Sequence, residues 1–90
     1  MKTIERCVDE CRHCAGLFRL GRDVEAALDM VEVFEGAQQL LIAASTPIQQ
    51  DWSFVLTHML DCQERQDWLG LADWMEYELI EVLQKVRSAN

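Results

Sequence analysis

Residues 22–45 read R-D-V-E-A-A-L-D-M-V-E-V-F-E-G-A-Q-Q-L-L-I-A-A-S. At 3.6 residues per turn, Val24, Ala27, Leu28, Val31, Phe34, Leu41 and Ile42 share one side of a helix. Met30, Val33, Ala37, Leu40 and Ala44 fall on the other side. A helix on the surface of a monomer needs only one apolar stripe. Two stripes place this helix at the centre of its domain or under another molecule. The first stripe is expected to face the core, and the second to be an outer face that a partner covers.

Three further helices lie on either side. Thr3 can cap the first, in which Ile4, Cys7, Val8, Cys11, Cys14, Ala15 and Phe18 recur at three- and four-residue spacing. Leu20-Gly21 ends it, glycine being common just past a helix. Ser45-Thr46-Pro47 is a turn, with Thr46 as the cap and Pro47 at the first helical position of a third helix reaching Glu64. Its inward residues are Ile48, Trp52, Val55, Leu56 and Met59. Asp67 caps the fourth, whose inner face is Trp68, Leu71, Ala72, Met75, Leu79, Val82 and Val86. Short connections make neighbouring helices antiparallel, so the expectation is one all-α domain over residues 1–90, an up-down antiparallel four-helix bundle.

The charge narrows the partners. Sixteen acidic against eight basic residues leave a formal −8, which repels phosphate backbones and anionic lipid. Nucleic acid and membrane are therefore not expected partners, whereas a protein partner such as a basic or amphipathic helix is. Glu5, Arg6, Asp9 and Glu10 interrupt any leader-like apolar run after Met1, and no run approaches the roughly 18 residues of a membrane span. Four cysteines in such a chain suit a reducing cytoplasm.

Cysteine supplies the one chemical motif. Cys7, Cys11 and Cys14 lie within about 60° on a helical wheel, while His58 and Cys62 share a face of the third helix. Thiolates and imidazoles brought together bind zinc or copper(I), so a metal or redox-responsive binder is the alternative function. Against it, free cysteine packs as a small apolar residue, and all three thiols lie on the apolar side of their helix. His13 points away from them. No nucleophile–base pair, no Glu-x-x-His pair on two helices and no glycine-rich phosphate loop occurs, so the chain is not read as an enzyme and no cofactor is expected.

Leu69, Tyr77 and Ile80 lie on the outer side of the fourth helix, Trp74 at its border, and Phe54 away from the third helix's core stripe. Aromatic-rich surfaces anchor protein contacts. The expected partner-binding residues are thus Met30, Val33, Ala37, Leu40, Ala44, Leu69, Tyr77 and Ile80, with a homodimer through the second helix as the expected assembly.

The segment Asp67–Leu79, D-W-L-G-L-A-D-W-M-E-Y-E-L, resembles a D-Y-x-x-L-A-D-L-L-E-Y-E-L stretch that closes small helical bacterial proteins, some of them encoded among flagellar genes. The likeness spans thirteen residues, is loose over the second helix and absent over the cysteine helix. It implies a compact helical bacterial protein acting as an adaptor or chaperone, and carries over no catalytic residue.

Overall fold

Helix boundaries in this chain are set by the residues beside them. The computed structural model describes residues 3–89; Met1 and Lys2, where the leader reading begins, and Asn90 lie outside them. Helix α1 spans Ile4–Arg19, α2 Asp23–Leu41 and α3 Thr46–Glu64. A last continuous helix runs through α4 (Trp68–Asp73), a π-helical segment (Trp74–Leu79) and α5 (Ile80–Ala89). The described residues contain no strand, so the chain is all-α.

The Thr3 hydroxyl accepts from the Arg6 amide at 3.1 Å and caps α1. Gly21, at φ +77°, closes α1 in a left-handed turn: its amide donates to Phe18 and that of Arg22 to Leu17. Gln66 does the same for α3 at φ +57°, a conformation that costs a side-chain-bearing residue more than glycine. Asp67 then accepts from the Gly70 amide at 3.0 Å, and any side chain at Gly70 would collide with that carboxylate. Two boundaries shift from expectation. The second helix stops at Leu41 rather than near Ala44, and Ser45 rather than Thr46 precedes α3. The Gln49 side chain donates to the carbonyls of Ile42 and Ala44, satisfying the turn that α2's end leaves open.

Helix α1 is the hub, packing along both α2 and the C-terminal helix, and α3 also lies on the C-terminal helix. Arg19 of α1 binds Asp73 at 2.8 Å and Glu76 at 2.7 Å, Arg87 reaches Glu5, and Lys85 reaches Asp51 of α3 at 2.9 Å. Phe18 stacks on Trp68 with ring centres 5.6 Å apart. By contrast, α2 and α3 approach each other over only a few residues.

The orientation of α2 is largely the reverse of that expected, although Leu41 of the first stripe is buried and Ala27 and Phe34 are half-buried. Met30, Val33 and Ala37 are core residues, Val33 at 1% exposure, and Leu40 and Ala44 are half-buried against them. Val24, Leu28, Val31 and Ile42 instead face outward, Val24 at 78% and Leu28 at 69% exposure. The two stripes differ in interruption. Along the line of Val24, Leu28, Val31 and Ile42, the turns at 35 and 38 carry Glu35 and Gln38, whose burial would strip two polar groups of water. The line of Ala26, Met30, Val33, Ala37 and Leu41 has no such break. Its alanines also let α1 come close enough for the Cys14 thiol to donate to the Ala26 carbonyl at 3.3 Å.

Ile80 is corrected as well: it is buried at the start of α5. A π-helical turn holds more residues than an α turn, so the segment Trp74–Leu79 rotates α5 relative to α4. The inward stripe then takes in Leu79, Ile80 and Leu83 together with Val82.

Candidate functional site

Because α2 and α3 splay, an apolar groove opens between them. Its floor is Trp52, whose indole N–H donates to the Gln38 side chain at 2.9 Å and whose ring meets Phe34 edge-on at 6.4 Å. The walls are Phe34, Glu35, Gln38 and Gln39 from α2, with Leu56 and Leu60 from α3, around a volume of about 460 Å³. A second cleft of about 260 Å³ adjoins it through Gln38, Trp52 and Leu56, and reaches Ile42 and Gln49. Going back along α2 from Phe34 and Glu35, the exposed side chains of Val31, Leu28 and Val24 continue the apolar surface over successive turns. Isolated exposed apolar residues are ordinary on a protein surface, but a groove joined to such a stripe is a mark of an interaction site.

A second surface lies on the other side of α3. His58 stacks on Trp74 with ring centres 4.4 Å apart, and Phe54 meets His58 edge-on at 4.5 Å. Phe54 also meets Trp74 edge-on at 6.0 Å and is 59% exposed. Farther round, Tyr77 stands 5.9 Å beneath the Arg19 guanidinium and its hydroxyl is held above the usual pKa by its hydrogen bond to Glu76. Of the residues expected to bind a partner, Leu69 and Tyr77 are exposed, Leu40 and Ala44 half-buried, and Met30, Val33, Ala37 and Ile80 buried. The structure does not gather them into one patch.

The cysteines face inward. Cys7, Cys11 and Cys14 are at 0% exposure, Cys62 is buried in α3, and all four are free thiols. A hydrogen bond to Cys7 and burial push the Cys11 thiol well above its ordinary pKa. Burial, then the nearby Asp29 carboxylate, pushes Cys14 up to about 12. Among the described residues no three His, Cys, Asp or Glu side chains converge to hold a metal ion, and His58 sits against Trp74 rather than with the α1 thiols. Reaction with a thiol reagent requires the thiolate and access to it. Labelling of Cys7, Cys11 and Cys14 at neutral pH should therefore be slow in the native protein and fast in denaturant. Cys11→Ala should cost about 1 kcal/mol, the scale of a small cavity. Fast native labelling would show that α1 does not bury these thiols.

Periodicity does not single out the groove residues as a site, since Trp52 and Leu56 fall within the inward stripe of α3 and Phe34 within a stripe of α2. A readable sign exists in Glu35 and Gln38, which mark the Val24–Ile42 line as the solvent side. No helix among the described residues is long and apolar enough to cross a membrane. No protein-family model, no curated protein and no solved structure matches the chain, so its own residues carry the functional reading.

Proposed function

We propose that this chain is a non-enzymatic protein-interaction module: an up-down helical bundle whose α2–α3 edge stands open to receive an amphipathic helix of a partner protein. The observation that carries this reading is the groove of Phe34, Trp52, Leu56 and Leu60, continued by exposed Val31, Leu28 and Val24. A groove between two helices offers the partner's apolar side chains, at three- and four-residue spacing, what a third helix of a bundle would offer. The strongest nucleophiles in the chain, its thiols, are buried and held protonated, which supports binding rather than catalysis. The resemblance of Asp67–Leu79 to small helical bacterial proteins is in keeping with an adaptor or chaperone role.

The test is a synthetic helical peptide with leucine along one face and glutamine elsewhere, titrated into the protein and followed by amide chemical shifts. Shifts should cluster on α2 and α3 around Phe34, Trp52 and Leu56. They should vanish in Val31→Gln with Leu60→Gln, two exposed changes that leave the fold intact and the charge unaltered. An unchanged spectrum, or shifts confined to Phe54, His58 and Trp74, would refute the groove as the docking site.

A further inference from the structure

We infer that the helix received by the α2–α3 groove is cationic on its flanks, and that a second copy of this chain is not the occupant. The inference rests on the docking reading of that groove and concerns the chemistry of what enters it.

The ground is the distribution of charge. Helix α2 carries Asp23, Glu25, Asp29, Glu32 and Glu35, and α3 carries Asp51, Asp61 and Glu64. Neither holds a single Lys or Arg. All eight basic residues of the chain lie outside these two helices, where the other eight acids balance them. The whole formal charge of −8 therefore sits on the pair of helices that forms the groove. Acidity serving solubility alone has no reason to concentrate on two elements and leave the remainder neutral.

Basic side chains approach four of these eight acids. Arg22 and Arg65 stand at the ends of α2 and α3, Arg22 3.6 Å from Glu25 and Arg65 3.0 Å from Asp61. Lys85 reaches Asp51 from the far side of α3, and His13 approaches Asp29 from α1. Glu35 lines the groove itself, and Glu64 lies one turn beyond Leu60; neither has an ion-pair partner among the described residues. The last turn of α2 also lacks the basic residue that α1 has in Arg19 and α5 in Arg87. Its C-terminal dipole thus adds to the negative field.

An apolar trough with acidic edges complements a helix with an apolar stripe flanked by Lys or Arg. The stripe fills the space beside Phe34, Leu56 and Leu60, while the flanking cations reach Glu35 and Glu64. Two copies meeting through this face would bring acid against acid, which opposes their association. A basic chain with no apolar stripe would leave the groove wet.

Three synthetic helices with the same leucine face test this, one each with glutamine, lysine or glutamate on the remaining positions, measured by calorimetry. At low ionic strength the lysine helix should bind at least about tenfold tighter than the glutamine helix, and the glutamate helix weakest. The lysine advantage should shrink to about twofold in 0.5 M salt, where the screening length is roughly 4 Å. Glu35→Gln with Glu64→Gln should weaken the lysine helix about threefold and leave the glutamine helix unaffected. Equal binding of the lysine and glutamine helices at low ionic strength overturns the charge inference while the docking reading stands. Failure of all three to bind removes the docking reading, and this inference with it. Lysine-helix binding that survives Val31→Gln with Leu60→Gln is diffuse adsorption and also overturns the proposal. So does a dimer at low ionic strength, seen by light scattering and lost in that same variant, since it makes the second copy the occupant.

Discussion

Val33→Glu should unfold the chain at room temperature, whereas Leu28→Glu should leave it folded with stability changed by less than about 0.5 kcal/mol. Both exchange an apolar residue of α2 for the same acid, and the two positions lie five residues apart. Val33 is 1% exposed within the cluster that includes Met30, Ala37 and Leu41. A carboxylate there must be buried without a partner or protonated at a cost, and either route removes several kcal/mol. Domains of this size have only about 5–15 kcal/mol in total, so the loss is decisive. Leu28 is 69% exposed, and its replacement keeps a good helix former on the solvent side. Circular dichroism with urea titration separates the outcomes. Tolerance of Val33→Glu together with unfolding of Leu28→Glu would mean that α2 is turned the way its first stripe suggests.

Alkaline pH should destabilise the fold through its thiols. An unfolded cysteine ionises near pH 8.5, while burial holds Cys14 protonated up to about 12 and the Cys7 hydrogen bond with burial raises Cys11 further. Cys62 is raised too, by burial first and then by Asp67. A folded-state pKa above the unfolded one means the native state holds its proton more tightly. That contribution is complete below about pH 8.5 and is lost as pH climbs toward the folded value. Each unit of difference is worth about 1.4 kcal/mol, so Cys14 alone removes on the order of 3 kcal/mol by pH 11. The urea midpoint should hold steady from pH 6 to about 8.5 and then fall steeply. Lys85, raised by its bond to Asp51, and Tyr77, raised by Glu76, lose stability in the same direction, so the thiol share is read by difference. Cys11→Ala with Cys14→Ala should begin less stable at neutral pH and fall less steeply above pH 9. An identical slope in that variant would assign the alkaline loss to other groups.

Much of this architecture was legible from neighbouring residues, because the interactions concerned are short-range. The Thr3 cap, the Gly21 stop and the Asp67 cap each depend on side chains and amides within four residues. The inward face of α1 carries a single apolar stripe, as do α3 and α4, and helical period alone locates each. The thiols of Cys7, Cys11 and Cys14 are buried because their stripe is the only one α1 has to offer. Ile80 escaped that logic, since the π-helical turn before it changes the period without leaving a mark in the residue pattern.

Tertiary packing decided what a single helix could not. The two stripes of α2 are both apolar enough to be buried, so the choice lay with α1, which comes closest to the stripe holding Ala26 and Ala37 and bonds to it through Cys14. Burying the opposite line would have taken Glu35 and Gln38 out of water. The groove likewise exists only because α1 holds α2 while the C-terminal helix holds α3, leaving the two acidic helices apart along Phe34, Leu56 and Leu60. The helices, their ends and the total charge were written in sequence-local terms. Which faces met, and the gap left between α2 and α3, were set by long-range packing, where close approach of backbones and the hydration of two polar side chains outweighed stripes of similar hydrophobicity.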